Sequence, residues 1–162
     1  MGTRTTLVLL FASVFSSQVL GGHEDKSNGF NTEIDWHSWE DMKRFDFSTN
    51  TKPVLYLFNK PWCGACKRLK QEFNGPKAAK IVELSQQFVM VNVVEDIADK
   101  KYAPDGGYIP RILFANPRGV IRPSIKNKSG NPKFNYFYSS AAEVEAALAS
   151  AAELLSADKT EL

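Results

Sequence analysis

The chain has 162 residues and carries 20 lysines and arginines against 18 aspartates and glutamates, a net charge of +2. A charge so close to balance gives no reason to expect a nucleic-acid partner or an anionic membrane surface. Hydrophobic residues make up 43% and aromatic residues 12% of the chain, which suits one domain with a single packed core.

The N-terminus has the layout of a secretory signal peptide. Arg4 precedes an apolar run over residues 7–15, and small or polar residues follow up to Gly22. The run is shorter than the roughly 18 residues of a transmembrane helix, so we expect cleavage after residues 1–21 and no stable membrane insertion. Residues 22–33 are polar and lack periodicity, which predicts a flexible N-terminal segment.

Residues 34–155 are predicted to form one domain, which opens with a short helix. Ser38 and Asp41 have the spacing of a capping box, and the apolar residues that follow Ser38 share one helical face. We expect this helix to pack on a sheet.

Continuous apolar runs predict buried strands at Val54–Phe58 and Phe88–Val94. Helical spacing predicts a helix over residues 77–87 between them. Residues 111–122 contain a proline and a glycine in a short turn and predict a hairpin. A final helix is expected to begin at Ser140 and to bury one apolar stripe.

The only cysteines of the chain, Cys63 and Cys66, are separated by two residues. This spacing serves a redox dithiol, half of a metal site or a structural staple. Zinc needs three or four ligands, and the chain adds only His23 and His37, which are not paired at ligand spacing, so no metal is predicted. Closing so short a ring would contribute only about 2 kcal/mol in the chain-entropy model, against roughly 4 to 5 for a long loop. A bond that opens and closes suits this pair best.

Cys63 is predicted to stand at the start of a helix, because a strand over residues 54–58 precedes it and Cys66, Leu69 and Phe73 recur at helical spacing. Its sulfur would face solvent near the unpaired N–H groups of the first turn, which favour a thiolate. Cys66 would lie on the core-facing stripe. We therefore assign Cys63 as the nucleophile and Cys66 as the resolving thiol.

Charged and aromatic residues surround the pair. Lys60 and Lys67 are candidates to stabilise the thiolate, whereas Arg68 and Lys70 fit a solvated helix face better. Trp62, directly before the nucleophile, is a candidate for the rim of a site where an unfolded client docks.

The segment Trp62–Lys67 after an apolar strand resembles the active site of the thioredoxin and protein disulfide isomerase superfamily. Gly107–Phe114 resembles the second signature of that superfamily, in which an apolar residue and a cis proline face the cysteines. The resemblance implies an α/β, thioredoxin-like fold with a central mixed β-sheet flanked by helices. It also implies a cis bond between Ile109 and Pro110, whose backbone would pair with an extended client. The alternative is an ordinary trans proline at the start of an edge strand.

The resemblance assigns a common role, contact with the client chain, to a set of residues around the cysteines. They are Trp62, Gly64, Ala65, Tyr108, Ile109 and Pro110.

More narrowly, residues 62–67, 88–92 and 105–114 resemble small thioredoxins of the anterior-gradient group, which reside in the endoplasmic reticulum. The last four residues, Lys159-Thr160-Glu161-Leu162, resemble the Lys-Asp-Glu-Leu retrieval signal, so residues 156–162 are expected to be a tail that the retrieval receptor binds. The expected compartment is the reticulum lumen, with secretion as the second choice. Some members of the group have lost one cysteine and bind clients instead, whereas this chain keeps both cysteines, which favours an enzyme.

The resemblance implies a thiol-disulfide oxidoreductase that acts on secretory client proteins. Its redox-active disulfide needs no cofactor, and glutathione is the expected small redox partner. The superfamily commonly buries an acid six residues before the first cysteine, but Leu57 occupies that position here. Removal of the Cys66 proton must then use Lys60, water or a group that the sequence does not identify. The alternatives are a client-binding chaperone with secondary redox activity and a peroxide-reducing enzyme.

Overall fold

The computed structural model describes Gly2 and residues 25–157. The rest of the predicted signal peptide and the retrieval motif at residues 159–162 lie outside the described residues. Within the described range, no helix is both long and apolar enough to cross a lipid bilayer.

In the described part of the chain, four strands form one mixed sheet. They are β1 (Trp36–Ser38), β2 (Val54–Phe58), β3 (Val89–Val93) and β4 (Arg111–Ala115), in the spatial order β1-β3-β2-β4. β3 pairs in parallel with both β1 and β2, and β4 pairs antiparallel with β2. The predicted α/β class and mixed sheet are confirmed, with the two apolar runs as the central strands.

Helices cover both faces of this sheet. They are α1 (Trp39–Lys43), α2 (Gly64–Asn74), α3 (Ala79–Ser85) and α4 (Ala141–Ala157), with a 3-10 turn at Lys100–Tyr102. Leu55 and Leu57 share one buried cluster with Leu69 of α2, whereas Tyr56 and Met42 of α1 belong to the cluster on the other face. Because both faces of the central strands are buried, their residues do not alternate between apolar and polar.

The helical stripes lie where the sequence predicts them. Cys66, Leu69 and Phe73 of α2 are fully buried. At the start of α4, the Glu143 N–H donates to the Ser140 hydroxyl at 3.3 Å. The four apolar residues of the α4 stripe, Val144, Leu148, Ala151 and Leu155, are all buried.

The N-terminal segment is packed on the domain, which differs from the flexible segment predicted. Phe30 is 1% exposed, and its ring lies edge-on to Phe73 with 5.2 Å between centroids. The Asn31 amide donates to the Phe73 carbonyl at 3.1 Å, and the Trp36 indole donates to the Asn31 carbonyl at 3.0 Å. One buried aromatic among polar residues produces no periodicity, so the pattern did not reveal this anchor.

The predicted hairpin at residues 111–122 is present only in part. Its turn contains Gly119 at φ +78°, and the second strand is reduced to one bridge between Ala115 and Ile121. Pro123 follows soon after and has no N–H with which to extend the ladder.

Asp41 completes the predicted capping box of α1 and also forms an ion pair with Lys26. Its carboxylate accepts hydrogen bonds from the Ser38 backbone N–H at 2.7 Å and the Ser38 hydroxyl at 2.9 Å, and it lies 2.9 Å from Lys26 Nζ. The Lys26 ammonium, followed by the Ser38 N–H, lowers the pKa of Asp41 to about 2.

We expect Asp41→Asn to lower the free energy of unfolding by about 1 kcal/mol at neutral pH. Because the pKa of Asp41 is lower in the folded protein than in the unfolded chain, this contribution is complete above about pH 4 and is lost as the pH falls toward about 2. Denaturant unfolding at several pH values measures it. Glu40→Gln, which removes an exposed pair with Lys43, is the control and should change stability by less than about 0.5 kcal/mol. An Asp41 effect that persists undiminished at pH 2 would contradict this prediction.

Candidate active site

Cys63 and Cys66 are joined by a disulfide, with their Cα atoms 5.2 Å apart. Cys63 is the N-cap of α2, and the Cys66 N–H donates to Cys63 Sγ at 3.1 Å. The predicted position of Cys63 at a helix start is confirmed. An N–H of the first turn directed at this sulfur favours the thiolate form once the bond is reduced.

Cys63 is less open to solvent than predicted. It is 7% exposed, and Cys66 is completely buried. The loop before β4 covers the pair, because the Ile109 carbonyl oxygen lies 3.8 Å from Cys63 Sγ. The next bond, between Ile109 and Pro110, is cis, as the resemblance implies. Only Cys63 therefore presents any surface to a partner.

A groove of about 320 Å³ is lined by the loop before α2 and by the loop before β4. Lys60 and Trp62 line it on the side of the cysteines, and Gly107 and Ile109 line it on the side of the cis bond. Trp62 is 75% exposed, a large apolar surface for a single side chain. The exposed Trp62 ring gives the groove an apolar edge.

Lys60 binds other groups of the protein. Its ammonium donates to the Val94 carbonyl at 2.7 Å and lies 2.7 Å from the Asp96 carboxylate. Asp96 therefore offsets part of the positive charge that we predicted would stabilise the thiolate. Lys67 is an exposed residue of the first turns of α2, and its thiolate-stabilising role stays a prediction.

The remaining predicted client contacts lie at the start of α2 and in the loop before β4, where Pro110 is buried. Gly64 is exposed and Ala65 partly exposed at the start of α2. Tyr108 is partly buried, with its hydroxyl donating to Asp105 at 2.7 Å and accepting from the Tyr136 N–H at 3.0 Å. Burial and the bond to Asp105 raise the pKa of Tyr108. These hydrogen bonds hold Tyr108 in place in the loop before β4, and its contact with a client stays a prediction.

Arg111 is a residue of the site that the sequence analysis missed. It is 6% exposed, with Cζ 4.4 Å from the centroid of the Phe58 ring. Its guanidinium donates to the Tyr102 carbonyl at 2.9 Å and to the Tyr108 carbonyl at 2.6 Å. Burial lowers the pKa of Arg111. These bonds hold the loop that leads to the cis bond. In the sequence, the only indication of this role is a single charged residue at the start of an apolar strand.

Two buried amides were also missed. Asn59 and Asn92 are each 1% exposed, and Asn59 Nδ2 donates to Asn92 Oδ1 at 2.6 Å. In the sequence, Asn59 directly follows one apolar run and Asn92 is a single polar residue inside the other. Leu57 occupies the position where the superfamily commonly has an acid, and its side chain is fully buried.

Among the residues that the structure describes, no group of three or more His, Cys, Asp or Glu side chains could hold a metal ion.

The chain is similar to several known proteins. A family model described as thioredoxin-like matches residues 35–117. The chain is 28% identical to anterior gradient protein 3 of Xenopus tropicalis over 134 residues, 81% of this chain and 81% of that protein. It is 30% identical to anterior gradient protein 3 of Mus musculus over 137 residues, 80% of this chain and 82% of that protein. Among solved structures, the disulphide isomerase from Xylella fastidiosa Temecula1 has 20% identity and a TM-score of 0.38, over 82% of this chain and 96% of that one.

Proposed function

The chain belongs to the thioredoxin-like family and its anterior-gradient-like group, with a disulfide oxidoreductase pair in Cys63 and Cys66, and we propose that it exchanges disulfides with secretory client proteins. The observation that carries the proposal is the disulfide at the N-terminus of α2, with the Ile109 carbonyl of the loop before β4 beside Cys63.

In the reducing direction, the Cys63 thiolate attacks a client disulfide and releases one client thiolate, which takes up a proton. The result is a mixed disulfide between Cys63 and the client. Cys66 then attacks Cys63 Sγ, which breaks the bond between Cys63 and the client and forms the Cys63–Cys66 disulfide. The proton of Cys66 leaves with the second client thiol. The client gains two electrons and the cysteine pair loses two. The oxidising direction is the reverse of these steps.

Client binding is assigned to the groove beside the disulfide. Trp62 supplies apolar contact, and Gly64 and Ala65 leave space at the start of α2. The backbone at Ile109 and Pro110 would pair with an extended client chain, which places a client sulfur near Cys63.

We place this activity in the lumen of the endoplasmic reticulum. Support comes from two sequence motifs, a signal-peptide layout within residues 1–21 and a retrieval-like motif at residues 159–162. The retrieval receptor is the partner proposed for the second motif. An oxidising lumen favours the disulfide form of the pair, so oxidase or isomerase work is the proposed direction.

Equilibration with glutathione tests the exchange activity. We expect the Cys63/Cys66 pair of the full chain to equilibrate with defined ratios of reduced and oxidised glutathione, read by thiol alkylation and mass. A potential nearer the isomerase value of about −180 mV than the thioredoxin value of about −270 mV would support the oxidising direction. Failure to equilibrate in folded protein would overturn the proposal. Cys63→Ser Cys66→Ser is the control without redox chemistry.

A client-binding chaperone is the second candidate, and one observation favours it. Trp62 and Phe134 are 75% and 43% exposed, and such apolar surface can hold an unfolded chain without any redox step. Full cellular function of Cys63→Ser Cys66→Ser would favour this candidate over the enzyme.

A further inference from the structure

Asn59 buries an amide oxygen whose orientation is fixed by its neighbours. Asn92 Nδ2 donates to the Ser27 backbone carbonyl at 2.5 Å, and Asn59 Nδ2 donates to Asn92 Oδ1 at 2.6 Å. A carbonyl only accepts, so Asn92 must turn its NH₂ group toward Ser27 and its oxygen toward Asn59. Asn59 must then present its NH₂ group to Asn92. Its own Oδ1 is left without a hydrogen-bond partner among the described residues.

This oxygen lies on the face of the sheet that α2 covers. The Asn59 N–H donates to the Val93 carbonyl at 3.0 Å, which extends the ladder beyond the last residue of β2. The alternation of side chains therefore continues from Leu55 through Leu57 to Asn59. Leu55 and Leu57 belong to the cluster that contains Leu69 of α2.

Cys66 is the member of the buried α2 stripe nearest the start of the helix. Leu69 and Phe73 continue the same stripe, and all three are 0% exposed. α2 follows β2 after a short loop, so the start of α2 and the end of β2 lie at the same end of the domain. Asn59 and Cys66 are the buried residues of these two segments nearest that end.

We propose that Asn59 Oδ1 accepts a hydrogen bond from the Cys66 thiol in the reduced protein. Reduction by two molecules of glutathione breaks the Cys63–Cys66 bond, gives two thiols and forms oxidised glutathione. A disulfide sulfur has no hydrogen to donate, so the bond to Asn59 exists only in the dithiol form. Asn59 is therefore a positioning residue that acts through Cys66 and makes the pair a stronger oxidant.

The inference rests on the proposed exchange function, and it does not replace the acid that is missing at Leu57. An amide oxygen does not take the proton from Cys66, but it orients the thiol and favours its neutral form. During resolution the proton leaves with the client thiol, and the bond to Asn59 breaks.

The test compares the glutathione equilibrium of the full chain with that of Asn59→Leu. We expect the variant to shift the equilibrium about tenfold toward the disulfide, which is about 30 mV in potential. The bond from Asn59 to Asn92 involves no cysteine, so we expect its loss to destabilise both redox states alike and to leave the equilibrium unchanged. The matched control is Asn74→Leu on the exposed surface at the other end of α2, which should leave the equilibrium unchanged. An unchanged equilibrium in folded Asn59→Leu would overturn the inference.

A second measurement does not depend on the folding of that variant. Cys63→Ala leaves Cys66 as the only thiol of the chain and puts no new hydrogen-bond acceptor beside it, so the infrared S–H stretch reports this group alone. We expect the stretch at lower wavenumber than that of a thiol without a hydrogen bond. A stretch at the position of a free thiol would contradict the proposal. If the parent never equilibrates with glutathione, the proposed function fails, while the infrared band still decides the hydrogen bond.

Discussion

Cys63→Ala is expected to lower the rate of disulfide exchange with a client by more than about 1,000-fold, the scale of effect seen when a nucleophile is removed. The chain contains no sulfur nucleophile other than Cys66, which is 0% exposed and lies one turn inside α2. A client disulfide can therefore reach only Cys63. Reduction of a fluorescent, disulfide-linked peptide measures the rate.

Cys66→Ala is the matched variant, and it should stop the reaction one step later. The Cys63 thiolate can still attack a client, but no second thiol resolves the mixed disulfide. We expect client adducts on Cys63 to accumulate and to be visible by mass spectrometry after thiol alkylation. Adducts on Cys66 in the Cys63→Ala variant, or none on Cys63 in Cys66→Ala, would reverse the assigned roles.

The elements that could be predicted from the sequence are those whose local pattern and final environment agree. Residues 54–58 form a continuous apolar run because neighbours cover both faces of β2, and the run matches the strand at both ends. The stripe that begins at Cys66 repeats at helical spacing because one face of α2 is buried. The capping box at Ser38 is local and needs no tertiary contact.

The features that could not be predicted depend on contacts between distant parts of the chain. Cys63 is sheltered by the carbonyl of Ile109, which belongs to a loop far along the sequence. Asn59 is buried because Asn92 provides a partner for its amide. Arg111 is buried because it binds two backbone carbonyls and the face of the Phe58 ring. A sequence pattern records the residue type at such positions but not the partner.

The second large effect that we expect is a loss of stability in the Phe30→Ala variant, which alters the N-terminal segment. Phe30 is 1% exposed, and its ring contacts Phe73 of α2 at 5.2 Å and Trp36 at 5.8 Å between centroids. Lys70 Nζ lies 5.3 Å from the centre of the same ring. Truncating a buried phenylalanine to alanine removes apolar burial and leaves a cavity, and typically costs about 3–5 kcal/mol.

We therefore expect Phe30→Ala to lower the free energy of unfolding by about 3–5 kcal/mol and the melting temperature by roughly 10 °C, measured by denaturant and thermal unfolding. Phe134→Ala is the control with the same change in chemistry, and because Phe134 is 43% exposed it should cost about 1 kcal/mol or less. Since Phe30 packs directly on Phe73, the variant should also loosen the helix that carries Cys66. Equal losses in the two variants would mean that the N-terminal segment does not hold the domain together.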